Sequence, residues 1–397
     1  MTDGRTVIGH KINSSLPVFV TLLLILCMGC WLLLSIMKFC FCLHRYSDSK
    51  NMKVELISAK KLLSFSQRGR RGIRHSNIFM MPEGPEVRAM VDDIRTTLLP
   101  SEPVKWSLSK FQVLSGRYKL TDIPKISNLI NVLPLNLGKI ECKGKFIYFS
   151  FKSSYFFWST LGLTGWWTFD SPERTNDNAR IQLTFSKLDE TLLSPNQSTS
   201  NQCDERNLFY YDQRNFGTFK ISTDENELHE KLASLGYCWL TNRPTLQQFS
   251  DLLNNKRTQS KPLAVFLLNQ KKTAGVGNYL LSEILYNCRL HPWVTCGQLS
   301  EEDKESLYWS TLSILVQSYL SQTDQISRAN YLKSLDNEFI DGSDREKAII
   351  QFVRQTFSMK VYMQINCPLG YKVRREEGPH KRTIHWVPQL QTKYSVS

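Results

Sequence analysis

The stretch Met81-Pro82-Glu83-Gly84-Pro85-Glu86-Val87 reads as the beginning of a protein, although it lies deep inside this chain of 397 residues. A small residue such as proline permits removal of an initiator methionine. If the working chain begins at Pro82, the ring nitrogen is a secondary amine that can attack carbon. If residue 81 stays attached, the nitrogen is acylated and its lone pair is delocalised in a planar peptide bond. The start site therefore decides whether this position offers a nucleophile.

The same stretch also fits an ordinary capped amphipathic helix. Proline is common in the first helical turn, and acidic residues favour the positive end of the helix. Apolar residues recur at the spacing of one helix face, at Val87, Met90, Val91, Ile94 and Leu98. The segment alone leaves both interpretations open, so the rest of the chain must decide.

The leader, residues 1–80, contains a second strong pattern. No charged residue occurs from Ser14 to Met37, which predicts a transmembrane helix at about residues 16–37. Lysines and arginines follow it, so the positive-inside rule would leave the remainder in the cytosol. Alternatively, the leader comes from an upstream in-frame start, or proteolysis removes it before Pro82. We expect it to be absent from the active form.

Composition points to a polyanionic partner. Lysine and arginine number 50 against 36 aspartates and glutamates, a formal net charge of +14. Such a charge suits DNA, RNA or an anionic membrane, and cannot choose between them. The six cysteines beyond residue 140 have no paired Cys-x-x-Cys spacing, which argues against a disulfide framework and a structural zinc site. We therefore expect a reducing compartment.

The chain after Pro82 changes character near residue 240. Short runs rich in β-branched and aromatic residues come first, separated by polar loops, and predict an antiparallel sandwich or barrel. Helical patterns follow, and then a closing hairpin. The predicted strands lie in Lys139–Lys152, Tyr155–Phe169, Ala179–Phe185 and Leu208–Phe219; the predicted helices are Glu225–Leu235, Thr245–Leu253, Leu263–Gln270, Tyr279–Asn287 and Glu301–Leu320; the hairpin pairs Lys360–Gln364 with Lys372–Trp386.

A second motif lies between residues 261 and 292. Two predicted helices flank a tight turn that contains Gly275 and Gly277, and Asn278 follows it. Backbone N–H groups in such a turn can face a phosphate, and an asparagine amide adds a donor. A Gly-x-Gly turn is weak on its own, because close helix packing explains it equally well.

From Pro82 onward the chain resembles the formamidopyrimidine-DNA glycosylase and endonuclease VIII family of base-excision repair enzymes. The resemblance implies an α+β fold: an N-terminal catalytic helix on an antiparallel β-sandwich (82–240), a helical helix-two-turn-helix domain (241–345) and a β-hairpin finger (346–397). It rests on motifs in the family's order, namely Pro82-Glu83-Gly84-Pro85-Glu86, Gly144-Lys145-Phe146, Leu161-Gly162-Leu163-Thr164-Gly165, Tyr211-Asp212-Gln213-Arg214-Asn215-Phe216-Gly217 and residues 261–292.

The resemblance assigns the candidate site. Pro82 would be the nucleophile, Glu83 the proton shuttle, and Glu86 its support. Lys145 would hold a phosphate near the lesion, although an exposed hairpin lysine is the plain alternative. The predicted DNA contacts are Asn278, Arg382, Gly275, Gly277 and Gln270. The predicted void-filling residues, which would replace an extruded base in the stack, are Leu163, Arg214 and Phe216; the first and last could instead be core residues.

The finger departs from the four-cysteine zinc site of many family members. Cys367 remains, but Gly370, Val387 and Leu390 occupy the other ligand positions, and one thiolate cannot build a tetrahedral site. This resembles the zincless-finger endonuclease VIII-like branch. We therefore expect no metal and no organic cofactor.

The resemblance predicts a bifunctional glycosylase and abasic-site lyase that acts as a monomer on damaged double-stranded or single-stranded DNA. Ala264 stands where bacterial formamidopyrimidine enzymes carry a lysine. With the zincless finger, it favours oxidised pyrimidines and ring-opened purines as substrates. A chain started at Met81 would act at the site of DNA, in the nucleus or its equivalent. A chain that keeps the leader would be a membrane-tethered lesion binder facing the cytosol; a plain nucleic-acid adaptor is the remaining alternative.

Overall fold

The computed structural model describes residues 82–100, 105–172, 178–187 and 204–394. The leader, with its predicted transmembrane helix at residues 16–37, lies outside this part of the chain. Among the described residues, no helix is long and apolar enough to cross a membrane.

The first helix, α1, runs from Gly84 to Leu98 and confirms the predicted amphipathic pattern. The Glu83 N–H donates to the Glu86 carboxylate at 2.9 Å, which satisfies one backbone donor that the helix itself cannot pair. Val87, Val91 and Ile94 are fully buried against the β-sheet core. The opposite side of α1 contacts a later helix, where the Tyr319 hydroxyl donates to Asp92 at 2.8 Å. The helix therefore lies between the two halves of the protein, and its N-terminal end is fixed there.

Eight antiparallel strands form the first half. In sheet order they run β5-β7-β6-β1-β2-β3-β4-β8. The link between β1 and β2 is only two residue pairs long, and it joins two four-stranded halves. The strands are β1 Trp106–Val113, β2 Leu135–Lys143, β3 Phe146–Phe151, β4 Tyr155–Thr160, β5 Gly165–Thr168, β6 Ala179–Lys187, β7 Glu205–Asp212 and β8 Thr218–Ser222; a short helix, α2 (Ile126–Asn131), precedes β2.

Aromatic side chains show that the two halves pack face to face. Trp167 of β5 lies 6.0 Å from Phe149 of β3 between ring centroids. Tyr210 of β7 lies 4.8 Å from Phe219 of β8. These residues come from opposite ends of the strand order, so the sheet folds over on itself around one core. The predicted sandwich is confirmed.

The second half is helical. Its largest element, α7, is buried along most of its length and packs against α1, α4, α6 and α9. The helices are α3 Glu225–Ala233, α4 Leu246–Asn254, α5 Leu263–Leu268, α6 Asn278–Asn287, α7 Glu301–Leu320, α8 Gln325–Glu338 and α9 Asp344–Val353, with a small parallel pair, β9 Tyr237–Cys238 and β10 Thr273–Ala274. The five predicted helices are confirmed, whereas α8 and α9 were not predicted.

The closing hairpin differs from its prediction. It pairs β11 (Arg374–Glu377) with β12 (Thr383–Trp386), and residues 360–364 form no strand. The reason is a buried carboxylate. Glu283 on α6 accepts hydrogen bonds from the backbone N–H groups of residues 360, 361 and 362 at 2.9, 3.0 and 2.8 Å. Those donors are already satisfied, so the segment needs no strand partner.

An apolar cluster supports the finger at the positions that the resemblance assigned to the zinc ligands. Cys367 and Val387 are buried with Tyr286, Val361 and Val373, and Leu390 packs against them. Gly370 occupies the tip of the turn at φ +83°. The domain boundaries at residues 240 and 345 stay predictions.

Candidate active site

Three glycines from distant parts of the chain meet at the start of α1. A Cβ on Gly84 would lie 3.0 Å from Gly275 Cα, and a Cβ on Gly144 would lie 2.5 Å from the Gly275 nitrogen. The Gly84 N–H donates to the Gly275 carbonyl at 2.8 Å. Gly144 is in the turn between β2 and β3, and Gly275 is in the turn before α6. The absence of side chains at this junction brings α1, the β2–β3 turn and α6 together.

The Glu83 carboxylate caps the N-terminus of α6. It accepts hydrogen bonds from the backbone N–H groups of Gly277, Tyr279 and Leu280 at 2.7, 3.0 and 3.3 Å. Gly277 cannot cap its own helix because it has no side chain. Burial raises the pKa of Glu83 to about 7, while Lys145 and these N–H groups oppose the rise. A carboxyl group with this pKa can donate and accept protons near neutral pH.

Glu86 is fixed by a separate set of hydrogen bonds. The Tyr279 hydroxyl donates to it at 2.7 Å and the Gln322 amide at 2.6 Å. The Tyr279 hydroxyl also lies 3.0 Å from the Ser318 hydroxyl. These contacts hold the Glu86 carboxylate against the backbone of Glu83, and the catalytic support predicted for Glu86 stays a prediction.

Lys145 and Glu83 face the same glycine. A Cβ on Gly277 would lie 2.3 Å both from Lys145 Nζ and from the Glu83 carboxyl group. Burial lowers the pKa of Lys145 below its usual value, the Glu83 charge opposes this effect, and Arg382 adds to it. The plain alternative of an exposed hairpin lysine does not fit this position. A lysine with a lowered pKa is also a second amine at the site, besides Pro82.

Glu83 gives the stability a predictable pH dependence. Its pKa is about 7 in the folded protein against an ordinary value of 4.5, so the folded state binds this proton more tightly than the unfolded state. The stabilisation is complete below the ordinary pKa and is lost as the pH rises through the folded one. The measurement uses protein with a tag before Pro82, so that no free amine is present at the site. We expect its Tm to fall from about pH 5 to about pH 8. The share of this fall that comes from Glu83 corresponds to a loss of up to about 3 kcal/mol in the free energy of unfolding.

The measurement compares Tm against pH for this protein and its Glu83→Gln variant. The variant should lack the Glu83 contribution, so its Tm should change less over the same range. Titrating groups away from the site are common to both proteins and cancel in the difference, so the difference reports Glu83 together with its effect on Lys145. Parallel curves would contradict the prediction.

The glycine turn uses its backbone donors within the protein. The N–H of Gly275 donates to the Gln270 amide oxygen at 3.0 Å, and that of Gly277 donates to Glu83. Gln270 donates in turn to the Val276 carbonyl at 2.7 Å. Both glycines are buried. The structure therefore gives these three residues an internal role, and their predicted contacts with DNA stay predictions.

A cleft of about 380 Å³ brings together residues from three parts of the chain. Among them are Leu163, Asn278 and Arg382, which the sequence assigned to DNA contact or void filling. Asn278 donates to the Thr383 carbonyl at 2.6 Å, and its buried side-chain oxygen has no partner among the described residues. Tyr362 and Arg375 also line the cleft, and the sequence did not single them out. Arg382 is exposed at the end of the hairpin turn.

Comparison with known proteins decides the family. The sequence model of the formamidopyrimidine-DNA glycosylase N-terminal domain matches residues 81–219, and that of the H2TH domain of the same enzymes matches residues 240–329. The formamidopyrimidine-DNA glycosylase of Bdellovibrio bacteriovorus is 31% identical over 253 residues, which cover 62% of this chain and 81% of the relative. The chain belongs to the formamidopyrimidine-DNA glycosylase family. The enzyme of Protochlamydia amoebophila is 25% identical over 236 residues, covering 59% of this chain and 75% of the relative.

Solved structures of the formamidopyrimidine-DNA glycosylase family have the same fold. The Lactococcus lactis enzyme, non-covalently bound to DNA with an AP site, gives a TM-score of 0.54 at 21% identity and covers 78% of this chain and 99% of its own. The MutM protein of Thermus thermophilus gives the same values. The predicted family and fold class are confirmed.

In this formamidopyrimidine-DNA glycosylase family member, the predicted void-filling residues lie on two adjacent loops. Phe216 is 56% exposed, which excludes a core role for it. Arg214 is exposed and Leu163 is half-buried at the cleft. The loops touch, because a Cβ on Gly162 would lie 2.7 Å from Phe216 Cβ. The structure therefore displays the three side chains together, and their role in DNA stays a prediction.

Glu283 fixes the wall of the cleft, because it holds the backbone of Tyr362. Burial raises the pKa of Glu283, and the three N–H groups oppose the rise. We expect Glu283→Gln to lower the free energy of unfolding by about 2 kcal/mol, because a neutral amide accepts less well and turns its own NH₂ toward a donor. Urea unfolding and hydrogen exchange at residues 360–362 measure the effect. Glu302→Gln, at an exposed position on α7, is the control, and unchanged exchange in Glu283→Gln would contradict the prediction.

Proposed function

We propose that this protein is a base-excision repair DNA glycosylase with abasic-site lyase activity, which acts through the amine of Pro82 when that residue begins the chain. One observation carries the proposal. The Glu83 carboxyl group, with a pKa of about 7, directly follows Pro82 and faces Lys145 across Gly277. An amine, a proton shuttle and a cation therefore meet at the buried start of α1.

The chemistry follows from a free amine at this position. An α-amine has a pKa of about 8, far below that of lysine, so a larger fraction is unprotonated at neutral pH. Attack on the sugar C1′ expels the damaged base and forms an iminium ion. This cation withdraws electrons, so the C2′ proton becomes acidic and the 3′ phosphate leaves by β-elimination. The 5′ phosphate leaves by δ-elimination, and hydrolysis of the remaining imine frees the amine.

The neighbouring side chains divide the remaining work. Glu83 exchanges protons with the sugar ring oxygen, and Glu86 holds the backbone of Glu83 in place. Lys145, Asn278 and Arg382 bind phosphates near the lesion. A chain that begins at Pro82 has 38 lysines and arginines against 33 aspartates and glutamates, a net charge of +5, which still favours the negatively charged DNA backbone.

Damaged DNA is the proposed partner. Structures of the Lactococcus lactis enzyme carry DNA with an AP site, with Fapy-dG or with an oxidised pyrimidine. For this chain we propose oxidised pyrimidines and ring-opened purines rather than 8-oxoguanine, because it has Ala264 in place of the lysine of the bacterial enzymes and a zincless finger. A base inside a duplex must be extruded before C1′ is accessible. The exposed Phe216 and Arg214, with Leu163, would fill the space that it leaves.

We propose that the active form is a monomer that begins at Pro82 and acts where the DNA is, in the nucleus or its equivalent. A chain that keeps residues 1–80 has no free amine at this site. It would bind lesions without cutting them, tethered to a membrane by the predicted helix at residues 16–37 and facing the cytosol.

Borohydride trapping tests the proposal. A chain that begins at Pro82, the full-length chain and a Pro82-first chain with an acetylated amine are each incubated with abasic-site DNA and sodium borohydride. The proposal predicts a covalent adduct only from the free Pro82 form. No adduct from any form, despite tight binding to DNA, would overturn it in favour of a lesion-binding protein.

A further inference from the structure

The two loops that carry the void-filling residues share one buried carboxylate. Asp212, the last residue of β7, is fully buried. The Thr164 hydroxyl donates to one of its oxygens at 2.6 Å, and the Gly217 N–H donates to the other at 2.7 Å. Thr164 lies in the Leu163 loop (residues 161–164), and Gly217 ends the Phe216 loop (residues 213–217). One carboxylate therefore joins both loops.

A second contact makes the connection continuous. The Thr164 hydroxyl oxygen also accepts the Arg214 N–H at 3.0 Å. A chain of hydrogen bonds thus runs from the backbone of Arg214 through Thr164 to Asp212 and on to Gly217. The backbones on both sides of Phe216 are held by this chain, while its ring is exposed.

Tyr210 packs the two loops against each other. It lies two residues before Asp212 on the same strand face, and its hydroxyl donates to Asp212 at 3.3 Å. A Cβ on Gly165 would lie 2.1 Å from that hydroxyl, and a Cβ on Gly217 would lie 2.0 Å from it. A side chain would therefore meet the tyrosine at either position, directly after the Leu163 loop or at the end of the Phe216 loop.

Two arginines hold the backbone of the Phe216 loop. Arg180 Nε donates to the Asp212 carbonyl at 2.9 Å, and Arg117 donates to the Gly217 carbonyl. The start and the end of the loop are thus anchored to β6 and to the segment after β1. Such anchoring lowers the conformational entropy that this loop would lose when Arg214 and Phe216 enter a base stack.

We propose that Asp212 is a positioning residue that fixes Leu163, Arg214 and Phe216 as one rigid unit, so that the three side chains enter the DNA stack together. The proposal rests on the proposed glycosylase function. It assigns Asp212 no contact with DNA and no part in bond breaking. Its effect is confined to substrates in which a stacked base must be replaced.

A comparison of duplex with single-stranded DNA distinguishes a role of Asp212 in filling the stack from a general role in stability or catalysis. In single-stranded DNA no stacked pair has to be opened, so the cost of extrusion is smallest there. We expect Asp212→Asn to lower the rate of borohydride trapping on a thymine-glycol duplex, in which a stacked base must be extruded, by about tenfold or more, since small misplacements of such groups are costly. Trapping on the same strand alone should stay within about threefold of wild type. Fluorescence of 2-aminopurine opposite the lesion should report slower stack insertion.

Variants of Thr164 test the same chain of hydrogen bonds from a second residue. Thr164→Val should reproduce the loss on duplex DNA, Thr164→Ser should restore it, and the double variant with Asp212→Asn should lose no more than either single one. Asp170→Asn changes an exposed carboxylate near the same sheet edge and should have no effect. Equal losses on both forms of DNA, or an unchanged duplex rate, would overturn the proposal. Failure of wild type to be trapped on either DNA would instead overturn the proposed function.

Discussion

Gly144→Ala is expected to lower the free energy of unfolding by about 3 kcal/mol or more and to abolish borohydride trapping. The added Cβ would lie 2.5 Å from the Gly275 nitrogen and 2.7 Å from the Ala274 carbonyl carbon, both backbone atoms that cannot rotate away. The backbone at Gly144 also has φ +59°, which L side chains rarely adopt. The turn that carries Lys145 must therefore move away from Glu83. Urea unfolding and the trapping rate measure the two effects.

Gly370→Ala is the control for Gly144→Ala, because it distinguishes the effect of close contact with other backbone atoms from that of a left-handed backbone. Gly370 has φ +83°, but a Cβ there would meet nothing within 4 Å. This variant should lose only about 1–2 kcal/mol for the left-handed backbone and keep its trapping rate. Equal losses in the two variants would show that close approach at Gly144 does not assemble the site.

Glu83→Gln is expected to slow base removal by about 10²- to 10⁴-fold, because an amide cannot donate or accept the proton that the reaction requires. Glutamine has the same size but accepts less well from the N–H groups at the start of α6, so urea unfolding must first show that the variant is folded under the assay conditions. Single-turnover cleavage of a thymine-glycol duplex by Pro82-first protein measures the rate.

Glu230→Gln, at an exposed position on α3, controls for the loss of one negative charge. It should leave the rate unchanged. If Glu83→Gln cleaved within about threefold of wild type, the proton shuttle would have to be another group.

The sequence predicts the fold well where periodicity is strong. The apolar face of α1 and the alternating strands β2 to β8 are properties of local sequence, and they form in or beside the predicted runs. Strand β1 and helix α2 lie outside those runs and were not predicted. Helix α8 lacks a clear apolar face, and Leu335 alone is buried in it. Helix α9 was missed although Ile350 and Val353 are buried. Residues 360–364 have a strand-like pattern, but Glu283 supplies their hydrogen-bond partner. A contact so distant in sequence leaves no local signal.

The sequence names individual candidate residues of the site, but it does not show which segments of the chain come into contact there. Motifs identified Pro82, Glu83 and Lys145, yet nothing local shows that Gly84, Gly144 and Gly275 touch. The sequence assigned the N–H groups of Gly275 and Gly277 to phosphate, because it could not show that Gln270 and Glu83 accept them. Similarly, the Asp212 carboxylate is part of a motif, but only its burial between two loops shows what it holds together.

Mapping the trapped adduct tests the central claim most directly. Pro82-first protein is trapped on abasic-site DNA with borohydride, digested, and analysed by mass spectrometry for the peptide that carries the sugar remnant. The site has two candidate amines, Pro82 and the lysine whose pKa burial lowers, Lys145. We predict that the remnant is on the nitrogen of Pro82. A remnant on Lys145 would contradict the account, because the leader would then have no bearing on catalysis.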